Sequence, residues 1–185
     1  MISLFKHTRT CRAALVACVV ATMLWNNTAI AQRASEFQVK AAYLYNFTKF
    51  VEWPDSTLGA KNAPFVIGVL GRNPFNQFLQ EIVGGERAFN RLIVVKYYEN
   101  ISDITNCHLL FINLPGKTNA ALDVVKDKAV LTVSDDPAFC RFGGIIRFYT
   151  EDETVRLEIN QKAAEAANVN ISSKILRIAK ICSTE

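Results

Sequence analysis

Cys107 is followed directly by His108, a pairing that could supply a thiolate and its general base. The surrounding run, Cys107 to Asn113, has the apolar character of a strand, and adjacent side chains on a strand point to opposite faces. A catalytic dyad is therefore not expected there. Ser172-Ser173-Lys174 could be read as a serine nucleophile with a lysine base, but the same residues suit the start of a helix. Asp135-Asp136-Pro137 offers two carboxylates for a metal or for acid–base work, yet no further ligand is near, and aspartate before proline is also a cap-and-turn sequence. Gly71-Arg72-Asn73-Pro74 lies between strand and helix, where backbone amides can hold a phosphate. It lacks the glycine spacing of a nucleotide fingerprint, and Pro74 removes one amide. Outside the first twelve residues His108 is the one histidine, so neither a histidine zinc cluster nor a second imidazole for a triad is available. No catalytic residue, metal or cofactor is expected, and the chain is read as a non-enzyme.

The N-terminus indicates where such a protein would work. Residues 1–12 are basic, Ala13 to Trp25 are almost wholly apolar, and Ala29-Ile30-Ala31 provides the small residues of a cleavage site. A signal peptide over 1–31 with cleavage before Gln32 is predicted, because the apolar run falls short of the roughly 20 residues that span a bilayer. A bacterial leader of this kind places the remaining chain in the periplasm, where disulfides are permitted. Of the formal charge of +4, Lys6, Arg9 and Arg12 belong to the leader, so the remainder is nearly balanced. That argues against a nucleic-acid partner held by phosphate neutralisation. With 50% apolar and 21% charged residues, the 185-residue chain is neither disordered nor a polytopic membrane protein, and 32–185 reads as one domain. Three cysteines follow the leader: Cys107, Cys140 and Cys182. At most one intramolecular bridge can form, and spacing does not choose among the three pairings.

Hydrophobic periodicity lays out the elements. Ser35-Glu36-Phe37-Gln38 opens a helix carrying Val39, Tyr43, Phe47 and Phe50, which Trp53-Pro54 closes. Phe65 to Leu70 is a buried strand; Phe75, Phe78, Leu79 and Ile82 mark a second helix; Leu92 to Tyr98 and Cys107 to Asn113 are strands. A helix over Asn119 to Asp127 and a strand from Ala129 to Val133 continue the alternation. This is the pattern of an α/β fold with a largely parallel, Rossmann-like sheet flanked by helices. Ile145 to Thr150 and Thr154 to Ile159 are too close for a crossover and form an antiparallel hairpin. Two terminal helices follow, one capped by Asn160 and one by Ser172 or Ser173, the second with Ile175, Ile178 and Ile181 or Cys182 facing inward.

Tyr43, Tyr45, Phe47, Phe50 and Trp53 crowd the first helix, and Tyr45 lies well around it from Tyr43 and Phe47. Neighbours cover these rings from two sides, or an exposed edge with Tyr45 and Trp53 serves a protein partner.

Several segments together resemble the YfiR family. They are Ala41 to Pro54, Val69-Leu70-Gly71 with Pro74-Phe75, Cys107 to Ile112, Leu131 to Asp135, Gly143 to Phe148, Val155 to Asn160 and Ile171 to Leu176, in that order along the chain. The resemblance implies a periplasmic regulator, seen as a homodimer, that represses the sensor domain of an inner-membrane diguanylate cyclase. It further implies sequestration by an outer-membrane OmpA-like lipoprotein and control of cyclic di-GMP and biofilm formation. It carries the Ile146 and Glu158 positions over as partner-facing. The family's two disulfides each lack a half here: the position near Ile67 facing Cys107 is apolar, and Arg147 stands where Cys140 would find its partner. Glu52 replaces an arginine found in some members before Trp-Pro. The alternative is a periplasmic small-ligand receptor using the carboxyl ends of the strands around Gly71 to Asn73 and Asp135.

Overall fold

The computed structural model describes residues 36–182; the leader predicted over 1–31 lies outside them. Helix α1 covers residues 36–50, followed by β1 (Val51–Glu52), β2 (Phe65–Gly71), α2 (Phe78–Val83), β3 (Arg87–Ala88) and β4 (Arg91–Tyr98). Then come β5 (Leu109–Asn113), α3 (Thr118–Val125), β6 (Leu131–Ser134), β7 (Ile146–Glu151) and β8 (Thr154–Ile159). The chain finishes with α4 (Gln161–Ala166), β9 (Asn170–Ile171), α5 (Ser173–Leu176) and β10 (Lys180–Ile181). Among the described residues no helix is long and apolar enough to cross a membrane.

Eight strands form one sheet in the order β10-β8-β7-β6-β5-β2-β4-β3. The central run β4-β2-β5-β6-β7 is parallel throughout, as the alternation of strands and helices predicts. The antiparallel β7–β8 hairpin follows it. Six consecutive residues of β2 are buried, because a central parallel strand is covered on both faces. On one face Val66, Leu70, Leu110 and Ile112 pack with Ala121, Leu122 and Val125 of α3 and with Phe139. On the other, Phe148 lies against Tyr43 and Phe47 of α1 and against Phe111, with ring centroids 5.9–6.4 Å apart. Such pairs contribute about 0.5–1.5 kcal/mol each beyond the area they bury.

The end of α1 is fixed in two ways. β1 pairs antiparallel with β9, and Ser172 N–H donates to the Phe50 carbonyl at 2.9 Å. Trp53 then inserts against Phe65 and Phe89 and donates Nε1–H to the His108 carbonyl at 3.0 Å.

Several elements differ from the sequence expectation, among them the strand predicted from Ala129, which begins at Leu131. Phe75 precedes α2, because Asn73 Oδ1 accepts its N–H at 2.9 Å and Asn73 Nδ2 donates to the Asn76 carbonyl, closing a turn first. The predicted strand at Cys107 begins at Leu109. The terminal helix ends at Leu176, and Lys180–Ile181 joins the sheet parallel to β8. Ile175 is buried, but Ile178 is 60% exposed and Ile181 45%. The open edge of β8 offers backbone partners that a third helical turn would forgo; Cys182 N–H donates to the Ile159 carbonyl at 2.8 Å.

Two glycines are set by close approach. A Cβ on Gly71, whose φ is +83°, would lie 2.2 Å from the Asn113 carbonyl oxygen, where β2 and β5 end together. A Cβ on Gly68 would meet the Tyr98 ring at 2.8 Å and the Leu110 side chain at 2.9 Å. Gly68→Val is expected to lower stability by about 1–3 kcal/mol. The check is a urea midpoint shift at unchanged m-value; an unshifted midpoint would contradict the packing at β2.

Candidate functional site

The hairpin carries the residues that the family resemblance brings forward. Asp152 and Glu153 have φ of +48° and +59°, the left-handed pair that a two-residue turn of the tight hairpin type requires. That turn pairs Glu151 with Thr154, and every later pair follows: Arg147 opposite Glu158, Ile146 opposite Ile159. A three-residue loop over 151–153 would instead have set Ile146 against Glu158. The observed register sends the two to opposite faces, since the side-chain period is two.

Ile146 is fully buried on the α1 face, so its expected direct contact with a partner is corrected: it supports the sheet from within. Glu158 lies on the other face, its carboxylate 2.5 Å from Arg147 Nε and 3.9 Å from Lys180 Nζ. Its side chain is 12% exposed while that of Lys180 is 68% exposed. Glu158 therefore organises two cations, and the guanidinium of Arg147 also sits 5.1 Å from the centre of the Tyr149 ring. Arg156, paired across from Tyr149, is exposed beside them. The result is a charged, pre-ordered hairpin face at the edge of the sheet.

Tyr45 and Trp53 separate in the same manner. The Tyr45 hydroxyl donates to the Glu86 carboxylate, and Lys49, one helical turn on, places its ammonium 4.1 Å from the centre of the Tyr45 ring. This polar aromatic cluster is partly exposed. Trp53 is only 5% exposed, and its role in the expected exposed edge is corrected to that of a buried anchor. The structure brings neither residue to the Glu158 cluster.

The sequence candidates for chemistry resolve into structural bonds. His108 stacks on Phe65 at 4.6 Å, and its Nδ1 accepts the Val66 N–H at 2.9 Å, so the ring does not serve Cys107. Burial pushes the Cys107 thiol up to about 12 and keeps it protonated at neutral pH. Asp136 accepts from Ala138 N–H at 2.9 Å and from the Thr118 hydroxyl at 2.6 Å, while Asp135 pairs with the buried Lys40 at 3.2 Å. These aspartates line a cavity of about 330 Å³ at the carboxyl ends of the strands. In the Gly71 turn, the Arg72 amide donates to the Asn113 carbonyl at 3.2 Å. Ser172 caps α5, its Oγ accepting from Lys174 N–H at 3.3 Å, and Asn160 caps α4. Among the described residues no cluster of three metal-ligating side chains forms.

The cysteines stand as thiols, Cys107 and Cys140 buried and Cys182 partly exposed. A Cβ on Gly68 would be 3.5 Å from that of Cys107, the spacing a disulfide uses. Gly68, next to the expected Ile67, is thus the place where Cys107 lacks a bridging half.

A family model described as YfiR/HmsC-like matches residues 37–180, more than three quarters of the chain. The chain belongs to the YfiR/HmsC-like family. No curated protein matches it. The family is one of periplasmic regulators of cyclic di-GMP signalling that act with a diguanylate cyclase partner.

What the sequence did not single out is Arg147 as the partner of Glu158; the signal was present in the hairpin, since the turn length fixes which residues face each other. Lys40 carries no local signal, because its partner Asp135 is 95 residues away.

His108 also supplies a pH dependence. Burial first, then the nearby Arg91 charge, holds its pKa below the ordinary 6.5. Unfolded chains then bind the proton more readily, so stability from this residue is complete above about pH 6.5 and is lost as pH falls through the depressed folded value. Melting temperature is expected to fall as pH drops below about 6.5, and His108→Asn to flatten that slope; an unchanged slope in the variant would exclude His108 as its source.

Proposed function

We propose that the protein is exported through its 1–31 leader and represses the sensor domain of an inner-membrane diguanylate cyclase by surface contact, lowering cyclic di-GMP and biofilm formation. The observation that carries this reading is the YfiR/HmsC-like match over residues 37–180. The contact is assigned to the hairpin face ordered by Glu158, where Lys180 and Arg156 are exposed and Arg147 is held in place. Tyr45, with Lys49 and Glu86, is a second contact, used by the homodimer or by an OmpA-like outer-membrane lipoprotein that withdraws the repressor. Ile146 and Trp53 support these two surfaces from beneath. Mechanistically this is linkage: a protein that binds one conformer of the receptor shifts its population by the difference in affinity.

Charge already paired on the free surface lowers the ordering needed on association and steers the encounter. Glu158→Gln is expected to weaken binding to the periplasmic sensor domain about tenfold, equivalent to roughly 1.4 kcal/mol, with the far-ultraviolet spectrum unchanged. Lys61→Glu, on a distant exposed loop, is expected to bind as the parent does. Titration calorimetry against the sensor domain reads both. Deletion of the gene is expected to raise cellular cyclic di-GMP, and unaltered levels would sink the repressor reading.

A further inference from the structure

We propose that Cys140 and Cys182 form a disulfide that fastens the C-terminal edge strand to the sheet beside Glu158. The bond is a modification site that neither the family match nor cysteine spacing assigns, and it holds whichever partner the hairpin face serves.

Both thiols converge on the end of β8. The parallel register sets Lys180 beside Glu158 and Ile181 beside Ile159, so Cys182 falls level with Asn160. Alternation along β10 places Cys182 on the face that carries Lys180 and Glu158. Cys140 reaches the same place from the segment between β6 and β7. Its carbonyl accepts from Asn160 Nδ2 at 3.1 Å, and its Sγ lies 3.9 Å from the Glu158 carbonyl. The two thiols are near enough for Cys182 to act on the titration of Cys140.

Cys107 is excluded by position. It precedes β5 and packs against β2, and three strand spacings, about 14 Å, separate β5 from β8. Bridged Cα atoms lie within about 7 Å.

The chemistry is exchange with a disulfide oxidant of the periplasm. Cys182, the partly exposed thiol, attacks one sulfur of the oxidant as its thiolate, and a mixed disulfide forms as one oxidant thiol leaves. Cys140 then attacks the Cys182 sulfur and releases the second. Two protein thiols become one disulfide while the oxidant disulfide becomes two thiols, and the hydrogens balance. Burial raises the Cys140 thiol, so the more exposed Cys182 is the thiol that attacks first.

β10 is a two-residue edge strand with both residues exposed. A covalent tie one residue beyond it holds Lys180 over Glu158; without the tie, an edge this short opens readily.

The test uses the chain purified from the periplasm, treated with oxidised glutathione or with dithiothreitol, alkylated, digested and mapped by mass spectrometry. The expected result is one intrachain link joining the Cys140 and Cys182 peptides. With it come a melting temperature about 5–10 °C higher than in the reduced protein and slower amide exchange at Lys180 and Ile181. Cys107→Ser is expected to keep all three, and Cys182→Ser and Cys140→Ala to lose them. A link through Cys107, a link between chains, or no link overturns the proposal. An intrachain link with unchanged exchange at β10 overturns its fastening role.

Discussion

One buried residue, His108, ties several elements of this fold together through its backbone and its uncharged ring. His108 N–H donates to Val66, its Nδ1 accepts from Val66, and its carbonyl receives both Leu131 N–H and the indole of Trp53. Through that one residue, β2, β5, β6 and the end of α1 are held in register. The arrangement requires a neutral ring, because a proton on Nδ1 would displace the Val66 N–H. Burial enforces that state, and the hydrogen bonds compensate for the desolvation of the polar ring. What looked in the sequence like half of a catalytic pair is a structural joint.

Away from that joint, the sheet changes character toward its β8 edge. The central strands are buried on both sides, whereas the hairpin is apolar only where it meets α1 and presents Arg147, Tyr149, Arg156 and Glu158 on its other face. The charges on this face are paired with one another within the chain. The same edge recruits the chain terminus, since a parallel two-residue strand satisfies backbone groups that β8 would leave open. The charged face and the approach of Cys182 to Cys140 thus share one cause, an edge strand in need of cover.

Particular residues show how far sequence reasoning carried. The strand–helix alternation, the hairpin and the caps at Asn160 and Ser172 were legible, since each depends on spacing and residue type within a few positions. Glu158 enters by resemblance, and whether it shares a face with Ile146 depends on whether the turn uses two residues or three. The terminal helix failed at Ile178 because helical periodicity says nothing of a sheet edge waiting nearby. Trp53 failed as an exposed anchor because the rings that enclose it, Phe65 and Phe89, are distant in sequence.

The sequence by itself determined the α/β alternation, the apolar strands and the local caps, because these follow from hydrophobic period and short-range hydrogen bonding. Tertiary structure alone decided which cysteines meet and that Asp135 pairs with Lys40. Those are properties of strand order and register, and the pairing of residues 95 apart is fixed only when the whole sheet is assembled.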